Sequence, residues 1–317
     1  MSESDQPRDQ PPPITSGQFV QSRPLGSPLQ KKSPAAKFTA KQAYHGFDGR
    51  KPQSAVHGPG LPWQMVPLDG ARGVLLLNGP KLNVYSLDPE VADLNEVSLP
   101  DGKKREFWIR GKKKGKTIVF AEGPGTVLRL NVEVCTKLEL KLGFYRLIHK
   151  TDQTNTTCSQ VKIKILPKAD DIYRLQANIH LKHVRCKDLK IPNDFGDKYR
   201  GRGSKIILSE LLKVLGKKNW PNDEDASVIL VPTELEIDHS QKEDLGGYYA
   251  KSIQAVILED LHPLTKMGKV LAHELGHHLL GSGHLSDSTN LMVQGTHSKP
   301  GSIGLNKGQI LTARSNV

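Results

Sequence analysis

The chain has 317 residues, 36% of them hydrophobic and 25% charged, a length that fits roughly two domains of about 150 residues each. No apolar run approaches the ~20 residues of a membrane span, so no membrane-spanning helix is expected, and the polar, proline-rich start MSESDQPRDQPPP lacks the build of a secretory signal, so signal-peptide export is not expected. The net charge of +12 is spread out, with one dense run at Lys112-Lys113-Lys114-Gly115-Lys116; no helix-turn-helix or zinc-finger pattern accompanies it, so it reads as a solvated basic surface and nucleic acid is not an expected partner.

Residues 1–60 hold nine of the 21 prolines, and their apolar residues are isolated and without period. Such a segment buries too little surface to offset its ordering entropy, so a disordered tail is expected. Over residues 61–135, short β-rich runs alternate with turn residues: Trp63–Pro67, Gly73–Leu77, Leu82–Ser86, Val91–Leu99, Glu106–Arg110, Thr117–Ala121 and Val127–Val134. This spacing predicts a small all-β sandwich. No catalytic constellation falls in it.

Residues 136–317 mix strands and helices, which predicts an α/β domain. Leu138–Ile148, Ala177–Val184, Ser227–Val231 and Tyr248–Leu258 read as strands. Ser204–Leu215 has helical spacing with Gly216 as its C-cap, Leu264–Leu280 is a helix, and Asn306–Arg314 is a short terminal one. Val161–Ile165 is ambiguous, alternating like a strand within a segment that also reads as helix. The cysteines, Cys135, Cys158 and Cys186, are an odd count at unremarkable spacings and read as reduced thiols. The expected location is cytoplasmic as made, with export by a signal-independent route as the alternative.

The chemistry lies in KVLAHELGHHLLGSGHLSDSTNLM, residues 269–292. His273 and His277 are spaced i, i+4, which on a helix puts both imidazoles on one face, within reach of one Zn²⁺. Glu274 is turned ~100° from His273 and lies beside the metal, where a carboxylate can take a proton from zinc-bound water. Apolar Val270, Leu271, Leu275 and Leu279 give this helix a buried face, and Gly281 and Gly283 break it before a third histidine, His284.

These residues resemble the metzincins, the zinc-peptidase clan with HExxHxxGxxH and a methionine turn. HELGHHLLGSGH matches except for one extra residue between the second His and the Gly, and SDSTNLM supplies Met292. The resemblance implies His273, His277 and His284 as metal ligands, Glu274 as the catalytic base and Met292 beneath the site. No Glu follows Glu274, so Asp287 is the one acidic competitor for third ligand; its alternative roles are to orient an imidazole or cap the loop. His278 is off the ligand face and reads as structural. Metzincins also present an edge strand to substrate, and Ser252–Leu258, with Ser252, Gln254 and Val256, is the matching position. Some use a tyrosine after the methionine turn to stabilise the oxyanion; none occurs here, and His297 is the candidate replacement. Residues 165–184 resemble the first helix and second strand of bacterial metzincin-like proteins, which favours helix over strand at 161–165. Within 61–135, VYSLDPEVADL and GKKKGKTIVFAEGPGTVLRLNVEV resemble bacterial immunoglobulin-like domains.

The expected architecture is thus a disordered tail (1–60), an immunoglobulin-like β-sandwich (61–135) and an α/β metzincin-like domain (136–317). The expected function is a zinc-dependent endopeptidase acting on protein or peptide substrates. The alternatives are a secreted effector- or toxin-type peptidase, engaging a secretion-system or surface partner through residues 1–135, and an inert zinc-containing binding protein.

Overall fold

The structure is a computed structural model that describes residues 35–49, 61–97, 104–148, 154–191, 206–216, 220–232, 234–236, 246–260, 263–281, 283–294 and 302–317. It is a mixed α/β chain, richer in sheet than in helix. Its first part runs through β1 (Lys37–Ala40), β2 (Phe47–Asp48), β3 (Trp63–Pro67), β4 (Ala71–Leu77), β5 (Asn83–Ser86), β6 (Ala92–Val97), β7 (Lys104–Gly111), β8 (Gly115–Gly123) and β9 (Thr126–Cys135). Two sheets result, ordered β1-β4-β7-β6 and β2-β3-β9-β8-β5. Alternate residues of each strand point inward, so Phe38, Val74, Leu76, Phe107 and Ile109 meet Val119, Leu130 and Val132 in one aliphatic core.

Two strands lie inside the stretch expected to be disordered. β1 pairs with β4 (Lys37↔Leu77 to Ala40↔Val74) and β2 with β3. Phe38 and Phe47 carry too short a pattern to show a period, and they gain burial from partners about 35 and 17 residues downstream. The remainder of that stretch, 1–34 and 50–60, lies outside the described residues.

The second part comprises β10 (Leu138–Ile148), helix α1 (Leu166–Ala177), β11 (Ile179–Lys190), β12 (Ile206–Ile207), helix α2 (Leu208–Leu215), β13 (Ala226–Val231), β14 (Leu235–Glu236), β15 (Gly247–Ala250), β16 (Ala255–Glu259), helix α3 (Leu264–Leu280) and helix α4 (Lys307–Ser315). The main sheet is ordered β11-β10-β13-β16-β15, parallel except for β15. Both faces are covered. Leu142, Phe144, Val228, Leu230, Val256 and Leu258 pack against α1 and α3. Tyr145, Leu147, Ile229, Val231 and Ile257 pack against Leu208, Leu211 and Leu215 of α2. This double burial explains the unbroken apolar runs of β13 and β16.

Val161–Ile165 is π-helical, continuing a turn at Cys158–Gln160 into α1, in line with the helix that the family resemblance favoured over the strand-like alternation. Two expectations change here. Tyr248–Leu258 is a hairpin rather than one strand: Lys251–Ile253 form a 3₁₀ turn and Gln254 takes a left-handed conformation (φ 49°). Cys158 and Cys186 form a disulfide with Cα atoms 5.7 Å apart, joining the start of the helical run to β11, while Cys135 is a buried free thiol. The odd count concealed one bridge and one core residue. Among the described residues, no helix is long and apolar enough to cross a membrane.

Candidate metal centre

Helix α3 carries the motif because Met267, Val270, Leu271, Leu275 and Leu279 recur at helical spacing and are all buried against the sheet and α1. It ends at Gly281, in the left-handed conformation (φ 60°), whose N–H donates to the His277 carbonyl (3.1 Å). A glycine makes that reversal without a Cβ penalty. Beyond this stop, the His284 ring lies beside the helix, against His273 and His277.

His273, His277 and His284 thereby converge, with one ring nitrogen from each lying within 4.8 Å of the others. Their ring centroids form a near-equilateral triangle of 4.9, 5.0 and 5.2 Å. His273 is buried, His277 half-buried and His284 exposed, so the cluster opens to solvent on one side. Nδ1 of His273 lies 2.7 Å from the Leu291 carbonyl oxygen. The carbonyl can only accept, so Nδ1 carries the proton and Nε2 presents its lone pair. That Nε2 lies 3.2 Å from Nε2 of His284. Two nitrogens bound to one tetrahedral zinc at ~2.1 Å would be about 3.4 Å apart. Three nitrogen donors with one open side fit a zinc ion that keeps a free coordination position.

Glu274 is buried, and desolvation pushes its carboxyl up to about 8, with the Tyr249 backbone acting the other way. Edge strand β15 lies close on α3 here. A Cβ on Gly247 would stand 2.7 Å from Val270 Cγ1 and 3.1 Å from Glu274 Cγ.

Met292 is fully buried beneath the helix. A Cβ on Gly276 would stand 2.3 Å from its sulfur, so the thioether occupies the space this glycine leaves. Its turn is pinned from several sides. Met292 N–H donates to Asn290 Oδ1 (2.8 Å), Asn290 Nδ2 donates to Gln309 Oε1 (2.7 Å), and Leu285 N–H donates to the Met292 carbonyl (2.8 Å). Gln309 with Asn306 forms the capping box that opens α4.

The other expected site residues separate. Asp287 is outside the histidine cluster; its Oδ1 accepts from the Thr289 N–H (2.9 Å) and hydroxyl (2.7 Å), which makes it a loop cap. Val256 is on an interior strand, with β13 on one side and β15 on the other, and Ser252 and Gln254 are on the hairpin turn. The edge strand is β15, not residues 252–258, because the chain reverses at Gln254. His297 lies outside the described residues. His278 points from α3 to edge strand β15, its Nδ1 2.9 Å from Tyr249 Oη and its ring edge-on to the tyrosine (centroids 5.4 Å apart). Sequence reasoning passed over Tyr249, Asn290 and Gln309; only the Asn-x-x-Gln cap of α4 carried a sequence signal.

No family model matches the sequence, and no curated protein matches it. Among solved structures, archaemetzincin from Methanopyrus kandleri is similar over 57% of this chain and 95% of its own, with 18% identity and a TM-score of 0.40. Domains 4 and 5 of the S-layer protein SbsC are similar over 22% of this chain, which covers 45% of that structure, with 16% identity and a TM-score of 0.20. At these values neither likeness bears on activity.

Proposed function

We propose that His273, His277 and His284 hold a zinc ion and that the chain is a zinc-dependent endopeptidase. The observation that carries this reading is the convergence of three imidazole nitrogens within 4.8 Å beside the buried carboxyl of Glu274. Zinc, when bound, supplies Lewis acidity that polarises a carbonyl and lowers the pKa of water. Glu274 is the proton carrier: its carboxylate takes a proton from the attacking water and delivers it to the departing amine. The Leu291 carbonyl fixes the tautomer of His273, and Met292 fills the volume under the helix turn bearing His273 and His277. On this reading residues 136–317 carry the chemistry, and the open side of the cluster, flanked by β15, receives an extended peptide.

The test is cleavage of an unbiased peptide mixture by zinc-loaded protein. Wild type should bind one zinc per chain and cleave. Glu274→Ala should bind zinc and lose activity by about 10³-fold or more, and His277→Ala should lose both. Zinc bound without cleavage would favour the inert binding-protein reading.

A further inference from the structure

The turn at residues 290–292 addresses two of the three histidines at once. Its Leu291 carbonyl accepts from His273 Nδ1 (2.7 Å). The next carbonyl, of Met292, accepts the N–H of Leu285, the residue that follows His284 (2.8 Å). One carbonyl therefore orients a ring, and the other holds the backbone that carries a second ring. Any shift of this turn moves two corners of the histidine triangle together.

A pair of carboxamides holds the turn to α4. Buried Asn290 donates from Nδ2 to Gln309 Oε1 (2.7 Å), and Gln309 Nε2 donates back to Asn290 Oδ1 (3.1 Å). A backbone N–H fixes the orientation of each amide. Met292 N–H requires an oxygen and so sets Oδ1 of Asn290 (2.8 Å); Asn306 N–H does the same for Oε1 of Gln309 (3.0 Å). Each side chain is left with one donor and one acceptor for the other, and flipping either amide would put two donors against each other at a backbone N–H. The far end is firm as well. Gln309 N–H donates to Asn306 Oδ1 (2.9 Å), and Ile310 and Ala313 of α4 are buried in the core that α1 and α3 share. A buried polar network satisfied in this way selects one geometry.

We propose that Asn290 and Gln309 are positioning residues: their amide pair holds the Leu291 carbonyl on His273 and the Met292 carbonyl on the backbone beside His284, and so sets the tautomer of the first imidazole and the spacing of the cluster. The consequence for metal affinity rests on the zinc reading given above; the effect on the imidazole does not. Groups that orient a ligand without binding the ion change affinity by about 10–100-fold. Through this pair the terminal helix, which supplies no ligand, governs the metal centre.

The experiment uses the full chain and reads two quantities. One is the set of imidazole nitrogen resonances of the metal-free protein at mildly alkaline pH, where imidazoles are neutral. The other is zinc affinity, by competition with a chelator. In wild type, His273 should hold its proton on Nδ1. Asn290→Ala and Gln309→Met should each mix the two tautomers and weaken zinc binding by about tenfold or more, and the double variant should bind no more weakly than the worse single one. Asn306→Ala is the control for helix stability. It removes the side-chain cap of α4 but keeps the Asn306 N–H and the amide pair, so its melting temperature should fall while tautomer and zinc affinity stay within about threefold of wild type. Since Asn290 is buried, Gln309→Met, on the half-buried side of the pair, decides alone if Asn290→Ala does not fold. A proton on Nε2 of His273 in wild type overturns the proposal. So do full zinc affinity in the folded single variants, losses that add in the double variant, or an equal loss in Asn306→Ala, which would assign the effect to the stability of α4. A wild type that binds no zinc defeats the zinc reading; the tautomer in the variants still decides whether the amide pair sets the turn.

Discussion

Gly276 lies between two histidines that the motif made conspicuous, yet its own constraint is steric. The Met292 sulfur stands where its Cβ would be, and the Tyr173 hydroxyl, which donates to the Ala272 carbonyl (2.7 Å), lies 3.4 Å from the same point. Gly276→Ala should therefore destabilise the chain by about 1–3 kcal/mol through overpacking, despite the better helix propensity of alanine. Urea melts of the metal-free proteins measure this, and a stabilised variant would show that the turn yields. Glu274 gives a pH prediction for the metal-free protein. Its folded carboxyl holds a proton up to about pH 8, against 4.5 for the unfolded chain. Raising the folded pKa means this contribution is fully present below 4.5 and declines as the pH rises towards 8. Glu274→Gln is always neutral and escapes the decline. Its melting temperature should equal that of wild type near pH 4.5 and exceed it by several degrees at pH 8; parallel curves would refute the buried-carboxyl assignment.

Among the elements, α3 was the most legible. Its bounds follow from apolar spacing and a glycine stop, and Leu138–Ile148 followed from simple alternation. The Tyr248–Leu258 hairpin was not legible, because the left-handed position at its reversal is filled by Gln254, and no Gly, Asn or Pro marks the turn. The two histidines and the glutamate were readable because one helix fixes their mutual geometry. The family spacing favoured His284 over Asp287, and it is His284 that joins the cluster while Asp287 caps the loop at Thr289. The disulfide was unreadable since pairing depends on where the helical run lies against β11. Its ends are 28 residues apart, a loop whose closure in the unfolded chain stabilises the fold by about 2–4 kcal/mol. Cys158→Ser should lower the melting temperature accordingly, by roughly 5–10 °C, and a reductant should do the same to wild type but nothing further to the variant.

For the molecule as a whole, the described part of the chain, from Ala36 onward, forms one compact unit. Trp63 and Met65 of the β-sandwich belong to the same core as α1 and α3. Polar bonds add to that contact: Arg72 donates to the Leu175 carbonyl (3.0 Å), and Lys307 N–H donates to Asp48 Oδ2 (2.9 Å). The first sheets thus brace α1 and α4, which pack on the helix that bears His273 and His277. Trp63→Ala should cost about 3–5 kcal/mol and lower the stability of both parts together, seen as one calorimetric transition that moves without splitting. Two separate transitions would mean that the parts fold independently.

The bond between Asp48 and Lys307 joins positions 259 residues apart, and Tyr44 packs on Gly304, which hydrogen-bonds the turn leading to Met292. A chain emerging from the ribosome presents the HELGH helix before residues 302–316 exist, so the floor of the metal cluster is missing at that stage. The first strands pair among themselves early, but the Asp48 bond must wait for a segment made much later. Such long-range closure is slow. It also means that a nascent or truncated chain ending before α4 has the three histidines but lacks the frame that aims them, so the cluster is set only after the chain around it.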